Sequence, residues 1–111
     1  MSQIKNSNVL ITGGAQGIGK LLGEKCLREG AKNLIIWDIN PINIDQTLAD
    51  FNHKGYENVH AFCVDVSDNN DIEKAATEIL LEIGNVDILF NNAGIVAGKK
   101  LYDGYHTWRS Q

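Results

Sequence analysis

The chain alternates short apolar runs with segments of helical periodicity, and this alternation restricts its possible folds more than any other feature. Four apolar runs of strand length occupy residues 9–12, 33–38, 59–64 and 86–90. Between them, apolar residues recur about every 3.6 positions, as on one face of an amphipathic helix. Strands alternating with helices through short loops predict right-handed βαβ crossovers and a parallel sheet with helices on both faces. The predicted fold class is therefore α/β.

Each predicted helix has a cap or a stop signal. The first begins near Ile18 and stops before Gly30, and the second has a cap at Asn40 followed by Pro41. Ser67 is the predicted cap of the third helix. The residues predicted to face the core are Ile18, Leu21, Leu22 and Cys26 in the first helix, Ile44, Leu48 and Phe51 in the second, and Ile72, Ala75, Ala76, Ile79 and Ile83 in the third.

The composition and charge exclude several classes of function. At 111 residues, with 43% hydrophobic and 22% charged residues, the chain fits one globular domain with a packed core. A net charge of -4 and scattered lysines give no basic surface for nucleic acid. The first residues lack an apolar segment, and no stretch approaches the roughly 20 apolar residues that span a bilayer. We therefore expect a cytoplasmic chain with no nucleic-acid or membrane partner.

The cysteines and histidines do not follow a metal-ligand pattern. Cys26 and Cys63 lie far apart, each within an apolar pattern, and are predicted to be reduced core residues. His53, His60 and His106 each stand without a second ligand at helical or hairpin spacing. We predict no metal site.

A glycine-rich segment, residues 12–19, lies between the first predicted strand and the first predicted helix. Gly13 can adopt the positive φ of a tight turn, Gly17 lets the backbone approach a pyrophosphate, and Gly19 permits close helix–strand contact. Free N–H groups and the positive dipole end of the helix suit a diphosphate. A flexible surface loop is the alternative, but the position within a strand–turn–helix unit favours dinucleotide binding.

Asp38 is the predicted partner of the adenosine ribose. It ends the second strand, 25 positions after Gly13, where an acid accepts hydrogen bonds from the ribose hydroxyls. The alternative is an ordinary acid at the N-terminus of the second helix, beside Asn40. Because a carboxylate would repel a 2′-phosphate, the sequence favours NAD over NADP.

Three motifs follow one another in a set order along the chain. The glycine spacing is Thr-Gly-x-x-x-Gly-x-Gly, Asp65-Val66 ends the third strand, and Asn-Asn-Ala-Gly at residues 91–94 ends the fourth. In these motifs the chain resembles the short-chain dehydrogenase/reductase family. The resemblance implies a Rossmann-type, doubly wound parallel sheet, with this chain holding its N-terminal half in the strand order 3-2-1-4.

The resemblance also implies roles for these residues. Asp65 would meet the adenine amino group with help from the Val66 backbone, and the Asn-Asn-Ala-Gly segment would stabilise the sheet and line the cofactor cleft. Loop capping by Asp65, and a simple turn at residues 91 and 92, remain alternatives. Gln16 and Asn40 are uncharged where family members preferring NADP often carry a basic residue. The residues predicted to bind NAD are Gly13, Gln16, Gly17, Ile18, Gly19, Asp38, Ile39, Asp65, Val66, Asn91, Ala93 and Gly94.

Catalytic residues are not assigned to this chain. The family's catalytic Ser and Tyr-x-x-x-Lys pair follow the fourth strand by more residues than remain here. Tyr105 and Arg109 imitate that spacing, but they lie too soon after Gly94, with no fifth strand or serine between. We therefore expect a Rossmann-type half domain at residues 1–97 and a divergent tail at residues 98–111, in which Leu101, Tyr105 and Trp108 share helical spacing.

Two functions are compatible with these features. The first is the cofactor-binding portion of an NAD-dependent oxidoreductase that acts on an alcohol/carbonyl pair. The second is a non-catalytic nucleotide-binding or dimerisation module. In either case the fourth strand would be an edge, so Val86, Ile88, Leu89 and Phe90 should be incompletely buried. An exposed apolar edge favours association, so we expect low stability or aggregation unless the tail or a partner, such as a second copy in a homo-oligomer, covers this edge.

Overall fold

The chain folds around a four-stranded parallel sheet in the order β3-β2-β1-β4. A computed structural model describes residues 3–93. The predicted α/β class and strand order are confirmed. The elements are β1 (Asn8–Thr12), α1 (Gly17–Arg28), β2 (Asn33–Asp38), α2 (Pro41–His53), β3 (Val59–Cys63), α3 (Asn69–Glu82) and β4 (Ile88–Asn91).

Helices cover both faces of the sheet. Because successive side chains of a strand point to opposite faces, each strand contributes to two separate cores. One core combines alternate residues of β1 and β2 with α1 and α2, and the other combines the remaining positions with α3. The first contains Val9, Ile11, Cys26, Leu34, Ile36, Ile44 and Phe51, and the second contains Leu10, Ile35, Trp37, Val64, Ile72, Ala75 and Ile79.

The predicted core stripe of α1 is wrong at two positions. Ile18 and Leu21 are 76% and 67% exposed. The face that meets the sheet instead carries Gly19 and Gly23, together with Cys26 and Leu27. A Cβ on Gly23 would already lie 3.0 Å from a methyl group of Leu34, so the helix axis is too close to the sheet for large side chains there. The small residues set the approach of α1, and the larger apolar residues are left outside.

The cap of α3 is also one residue later than predicted. Asp68, rather than Ser67, accepts hydrogen bonds from the backbone N–H groups of Asn70 and Asp71. Ser67 instead donates to the Asp65 carboxylate. In α2 the predicted cap is confirmed, because the Asn40 side chain accepts from the amides of residues 42 and 43.

Strand β4 is incompletely buried along its length, as expected of an edge. Val86, Ile88, Leu89 and Phe90 are all half-buried and pack against the margins of the two cores. The predicted tail helix, and the covering of this edge by residues 98–111, lie outside the described residues.

The two cysteines occupy different environments. Cys26 is buried, as predicted, but Cys63 is exposed, so its assignment to the core is wrong. Cys63 ends β3, which is the other edge of the sheet, and its thiol contacts the Ile39 carbonyl at 3.5 Å. Burial raises the pKa of the Cys26 thiol, and the nearby Glu29 carboxylate raises it further.

These environments predict unequal thiol reactivity. The thiolate is the reactive form, so a raised pKa and burial both slow the reaction of Cys26. We expect one equivalent of a disulfide reagent to react rapidly with the native chain, and the second only after denaturation. Cys63→Ser should abolish the fast phase and Cys26→Ser should preserve it. Two equally fast equivalents in the native chain would contradict this assignment.

Residues 3–93 contain neither a membrane-spanning helix nor a cluster of metal-ligand side chains. None of the helices in that range is both long enough and apolar enough to cross a membrane. Within the same range, no three His, Cys, Asp or Glu side chains come together as metal ligands.

Candidate functional site

A cleft of about 700 Å³ opens where the strands of the sheet end. The carboxyl ends of parallel strands lie at one edge of a sheet, so the loops that follow β1, β2, β3 and β4 meet there. The residues that line the cleft are Gly13, Gln16, Gly17, Ile18, Trp37, Asp38, Ile39, Val64, Asp65, Val66, Ser67, Asn92 and Ala93. Segments distant in sequence thus form one surface.

The turn after β1 requires glycine at two positions. Gly13 has a φ of 67° and Gly17 a φ of 56°, a region that residues with a Cβ rarely adopt. The Gly13 amide donates to the Trp37 carbonyl at 2.7 Å, which fixes the start of the turn against β2. A Cβ added to Gly17 would meet no atom within 4 Å. The backbone is therefore open to the cleft where α1 begins.

The N-terminus of α1 differs from those of the other helices. Asn40 and Asp68 cap α2 and α3 with side-chain oxygens, whereas Gln16, the N-cap of α1, makes no such hydrogen bond. The first turn of α1, like that of α2, carries no acidic residue. Its N–H groups and its positive dipole end thus face the cleft without a side-chain acceptor, as an anion-binding helix terminus does.

Gly19 lies behind the cleft surface and does not line it. A Cβ at this position would lie 2.1 Å from the carbonyl oxygen of Gly13 and 2.8 Å from the side-chain nitrogen of Asn92. The absence of a side chain therefore allows α1 to pack directly on the turn. The sequence predicted a close helix–strand contact for Gly19, and the structure places this close contact between α1 and the glycine turn, beneath the cleft.

Asp38 holds the turn and the start of the next loop together. The residue is 6% exposed, and one carboxylate oxygen accepts from the Ala15 amide at 3.0 Å. The other oxygen accepts from the Asn40 amide at 3.1 Å. Charge-assisted hydrogen bonds to two backbone donors fix the orientation of this carboxylate at the cleft wall.

The loop after β3 forms a second wall. Asp65 accepts two hydrogen bonds at one carboxylate oxygen, from the Ser67 amide at 2.9 Å and the Ser67 hydroxyl at 2.6 Å. This is the loop-capping arrangement considered from the sequence, and Asp65 and Val66 line the cleft as well. Ile39, after β2, is 65% exposed and also lines it. The cleft thus has exposed apolar surface beside a polar loop.

The segment after β4 is tied to the turn after β1. The Thr12 hydroxyl donates to the Asn91 side chain at 3.3 Å and accepts from the Ala93 amide at 3.1 Å. The Asn92 side-chain amide donates to the Gly13 carbonyl at 3.1 Å. Asn91 therefore joins the two strands and does not line the cleft, whereas Ala93 does. The predicted site residue Gly94 lies outside the described residues.

Sequence reasoning did not select Thr12 or Asn92 as site residues. Thr12 opens the glycine motif and Asn92 lies in the Asn-Asn-Ala-Gly motif, so these positions were the signal by which the sequence could have indicated a role in the site. Their contacts depend on β1 and β4 being neighbours, with Thr12 paired to Asn91. A parallel pair brings together residues about 80 positions apart, and only the folded sheet specifies which side chains then meet.

The sheet order, the glycine turn and the acid that ends β2 define a Rossmann-like α/β protein. A family model described as short chain dehydrogenase matches residues 7–107. The chain therefore belongs to the short-chain dehydrogenase family, as the three motifs indicated.

Relatives and solved structures agree with this assignment. Epidermal retinol dehydrogenase 2 of Homo sapiens is 41% identical over 95 residues, which are 86% of this chain and 30% of that protein. The structure of 2-keto-3-deoxy-D-gluconate dehydrogenase from Streptococcus agalactiae has a TM-score of 0.75 and 32% identity, covering 83% of this chain and 34% of that one. The chain spans about a third of the length of the curated relatives it matches.

A further structure contains a bound cofactor. It is 3-ketoacyl-(acyl-carrier-protein) reductase from Brucella melitensis complexed with NADH, with a TM-score of 0.68 and 26% identity. The match covers 78% of this chain and 34% of that chain.

Proposed function

We propose that the cleft binds the adenosine diphosphate half of a nicotinamide dinucleotide, NAD in preference to NADP. The chain would then supply the cofactor-binding portion of an oxidoreductase acting on an alcohol/carbonyl pair. The observation that carries this proposal is a buried, backbone-anchored carboxylate, Asp38, at the wall of a cleft entered by an uncapped helix N-terminus.

The diphosphate would lie at the start of α1. The N–H groups of the first turn have no side-chain acceptor, and the open space in front of Gly17 admits a bulky anion close to the backbone. Phosphate oxygens at this point would accept hydrogen bonds from the free N–H groups and interact favourably with the helix dipole.

The adenosine ribose would lie against Asp38. A carboxylate can accept about four hydrogen bonds, and two of these come from the amides of Ala15 and Asn40. The remaining capacity matches the two hydroxyls of a ribose. Because the carboxylate is already oriented by the backbone, it can accept the ribose hydroxyls without reorganising.

The preference for NAD follows from charge. A 2′-phosphate carries a charge of about -2 and would lie next to the Asp38 carboxylate. In this partly buried position, the repulsion between the two groups is poorly screened. Among the described residues, no cation offsets this repulsion, because Gln16 and Ile39, which line the cleft, and Asn40 in the adjoining loop are all uncharged. NADH bound to the related Brucella melitensis reductase is compatible with this preference.

The adenine would lie between the loops after β2 and β3. Ile39 and Val66 offer apolar surface for the faces of the ring, and Asp65, which also lines the cleft, offers a carboxylate to its amino group. The far end of the cleft, at Asn92 and Ala93, would then lead towards the nicotinamide. The cofactor supplies hydride transfer, while the described residues bind and orient it.

The direct experiment is a titration of the 111-residue chain with NAD and NADP. Trp37 lines the cleft, and Trp108→Phe leaves it as the only tryptophan, so that its fluorescence reports binding. We expect saturable binding with NAD favoured at least about tenfold, which corresponds to about 1.4 kcal/mol. ADP-ribose should compete with NAD, since it carries the groups that the cleft is proposed to bind.

Two glycine variants provide a matched control. Gly17 and Gly55 both have positive φ and open surroundings, but only Gly17 lines the cleft. Gly17→Ala should weaken NAD binding, whereas Gly55→Ala should leave it unchanged despite similar backbone strain. Tighter binding of NADP than NAD, or no saturable binding by a folded chain, would overturn the proposal.

A further inference from the structure

A threonine in the middle of α2 forms a hydrogen bond outside its own helix. Thr47 is 1% exposed, and its hydroxyl donates to the carbonyl oxygen of Ala15, 32 residues earlier, at 2.8 Å. A threonine inside a helix usually faces solvent or bonds to the carbonyl four residues before it. Thr77 in α3 does the latter, donating to Glu73 at 2.9 Å. Thr47 therefore has a specific long-range partner.

That partner is the middle of the glycine turn. Ala15 is 4% exposed and lies between Gly13 and Gly17, the two positive-φ positions of the turn. Its N–H group donates to Asp38 at 3.0 Å, and its carbonyl accepts from Thr47. Both polar groups of one buried residue are thus bonded, one to the end of β2 and the other to α2.

We infer that Thr47 is a positioning residue for the dinucleotide-binding turn, acting through Ala15; this inference rests on the proposed function. Glycines give the turn the conformation that it needs but do not restrict it to that conformation. The hydroxyl of Thr47 fixes the Ala15 carbonyl, and the Ala15 amide in turn fixes the Asp38 carboxylate. Thr47 thereby holds the diphosphate and ribose subsites in register with each other.

A second contact joins α2 to the turn but is weaker. The Asn43 side chain donates to the Gln16 side chain at 2.9 Å, at an exposed position where water competes for both groups. Loss of the buried Thr47 hydroxyl leaves the Ala15 carbonyl without its donor in a place where water does not replace it readily. The effect of Thr47 on the turn should therefore exceed that of Asn43.

The experiment compares three variants of the 111-residue chain. Thr47→Val removes the hydroxyl and keeps the side-chain shape, Thr47→Ser keeps the hydroxyl, and Thr77→Val makes the same change where the hydroxyl bonds within its own helix. NAD affinity is measured by titration and the exchange rate of the Ala15 amide hydrogen by NMR, after circular dichroism has established folding. Should Thr47→Val fail to fold, Thr47→Ala takes its place.

We expect Thr47→Val to raise the Kd for NAD about tenfold and to speed exchange of the Ala15 amide. Thr47→Ser should restore both quantities to within about twofold of the parent, and Thr77→Val should change neither. Unchanged NAD affinity in Thr47→Val, or a Thr47→Ser variant as weak as Thr47→Val, would overturn the inference. If the parent chain binds neither dinucleotide, the proposed function fails instead, and the Ala15 exchange rates alone decide whether Thr47 holds the turn.

Discussion

Gly19→Ala is expected to destabilise the chain by about 3 kcal/mol, towards the upper end of the cost of overpacking. The new Cβ would lie 2.1 Å from the Gly13 carbonyl oxygen, a backbone atom that cannot rotate away. Either α1 moves off the sheet or the turn shifts into the cleft. Both changes should also abolish NAD binding. Chemical denaturation monitored by circular dichroism measures the loss of stability.

Gly23→Ala is the control for this prediction. It makes the same change one helical turn later in α1, where the Cβ would lie 3.0 Å from a terminal methyl group of Leu34. A flexible side chain can shift, and alanine favours the helix by about 1 kcal/mol over glycine. The net change should stay within about 1 kcal/mol of zero. Equal destabilisation by the two variants would contradict the close contact assigned to Gly19.

Asp38→Asn is expected to lower the stability of the chain and to change its cofactor preference. The two carboxylate oxygens face two backbone N–H donors, from Ala15 and Asn40. An amide side chain has only one oxygen, so its NH₂ group must oppose one of these donors. The loss of a charge-assisted hydrogen bond at a buried site should cost about 2 kcal/mol.

The same substitution removes the charge that would repel a 2′-phosphate. We expect NAD affinity to fall and the ratio of NADP to NAD affinity to rise about tenfold or more, measured by the same titration. Asp45→Asn, which removes an exposed carboxylate from α2, should leave both stability and preference unchanged. Retention of the full preference for NAD in Asp38→Asn would show that another group discriminates between the cofactors.

The sequence by itself determined the order and type of the elements. Buried β-branched runs separated by helical periodicity specify a parallel sheet, and β2 at Asn33–Asp38 has the predicted bounds. The glycine turn, Asp38 and the loop after β3 could be assigned to one site because parallel strands place their carboxyl ends at one edge. These inferences depend on local patterns and on a general rule of topology, and both can be read along the chain.

Other features were decided only by tertiary packing. Ile18 and Leu21 fit a helical core stripe, yet the approach of α1 to the sheet favoured the face with Gly19 and Gly23. Cys63 lies in an apolar run but is exposed, since β3 is an edge. Periodicity reports which residues share a face, whereas the distance between a helix and its sheet decides which face is buried.

The residues that hold the candidate site in place were also decided only by tertiary packing. Thr47 reads as an ordinary helix position, and its hydroxyl acquires a role only because α2 packs beside the turn that contains Ala15. Likewise, the Asn92 amide meets the Gly13 carbonyl because β4 pairs with β1. Most residues of the cleft surface could be named from local motifs, although Asn92 was missed and Gly19 and Asn91 do not line the cleft. Those that hold it in place depend on contacts between distant segments, which exist only in the folded chain.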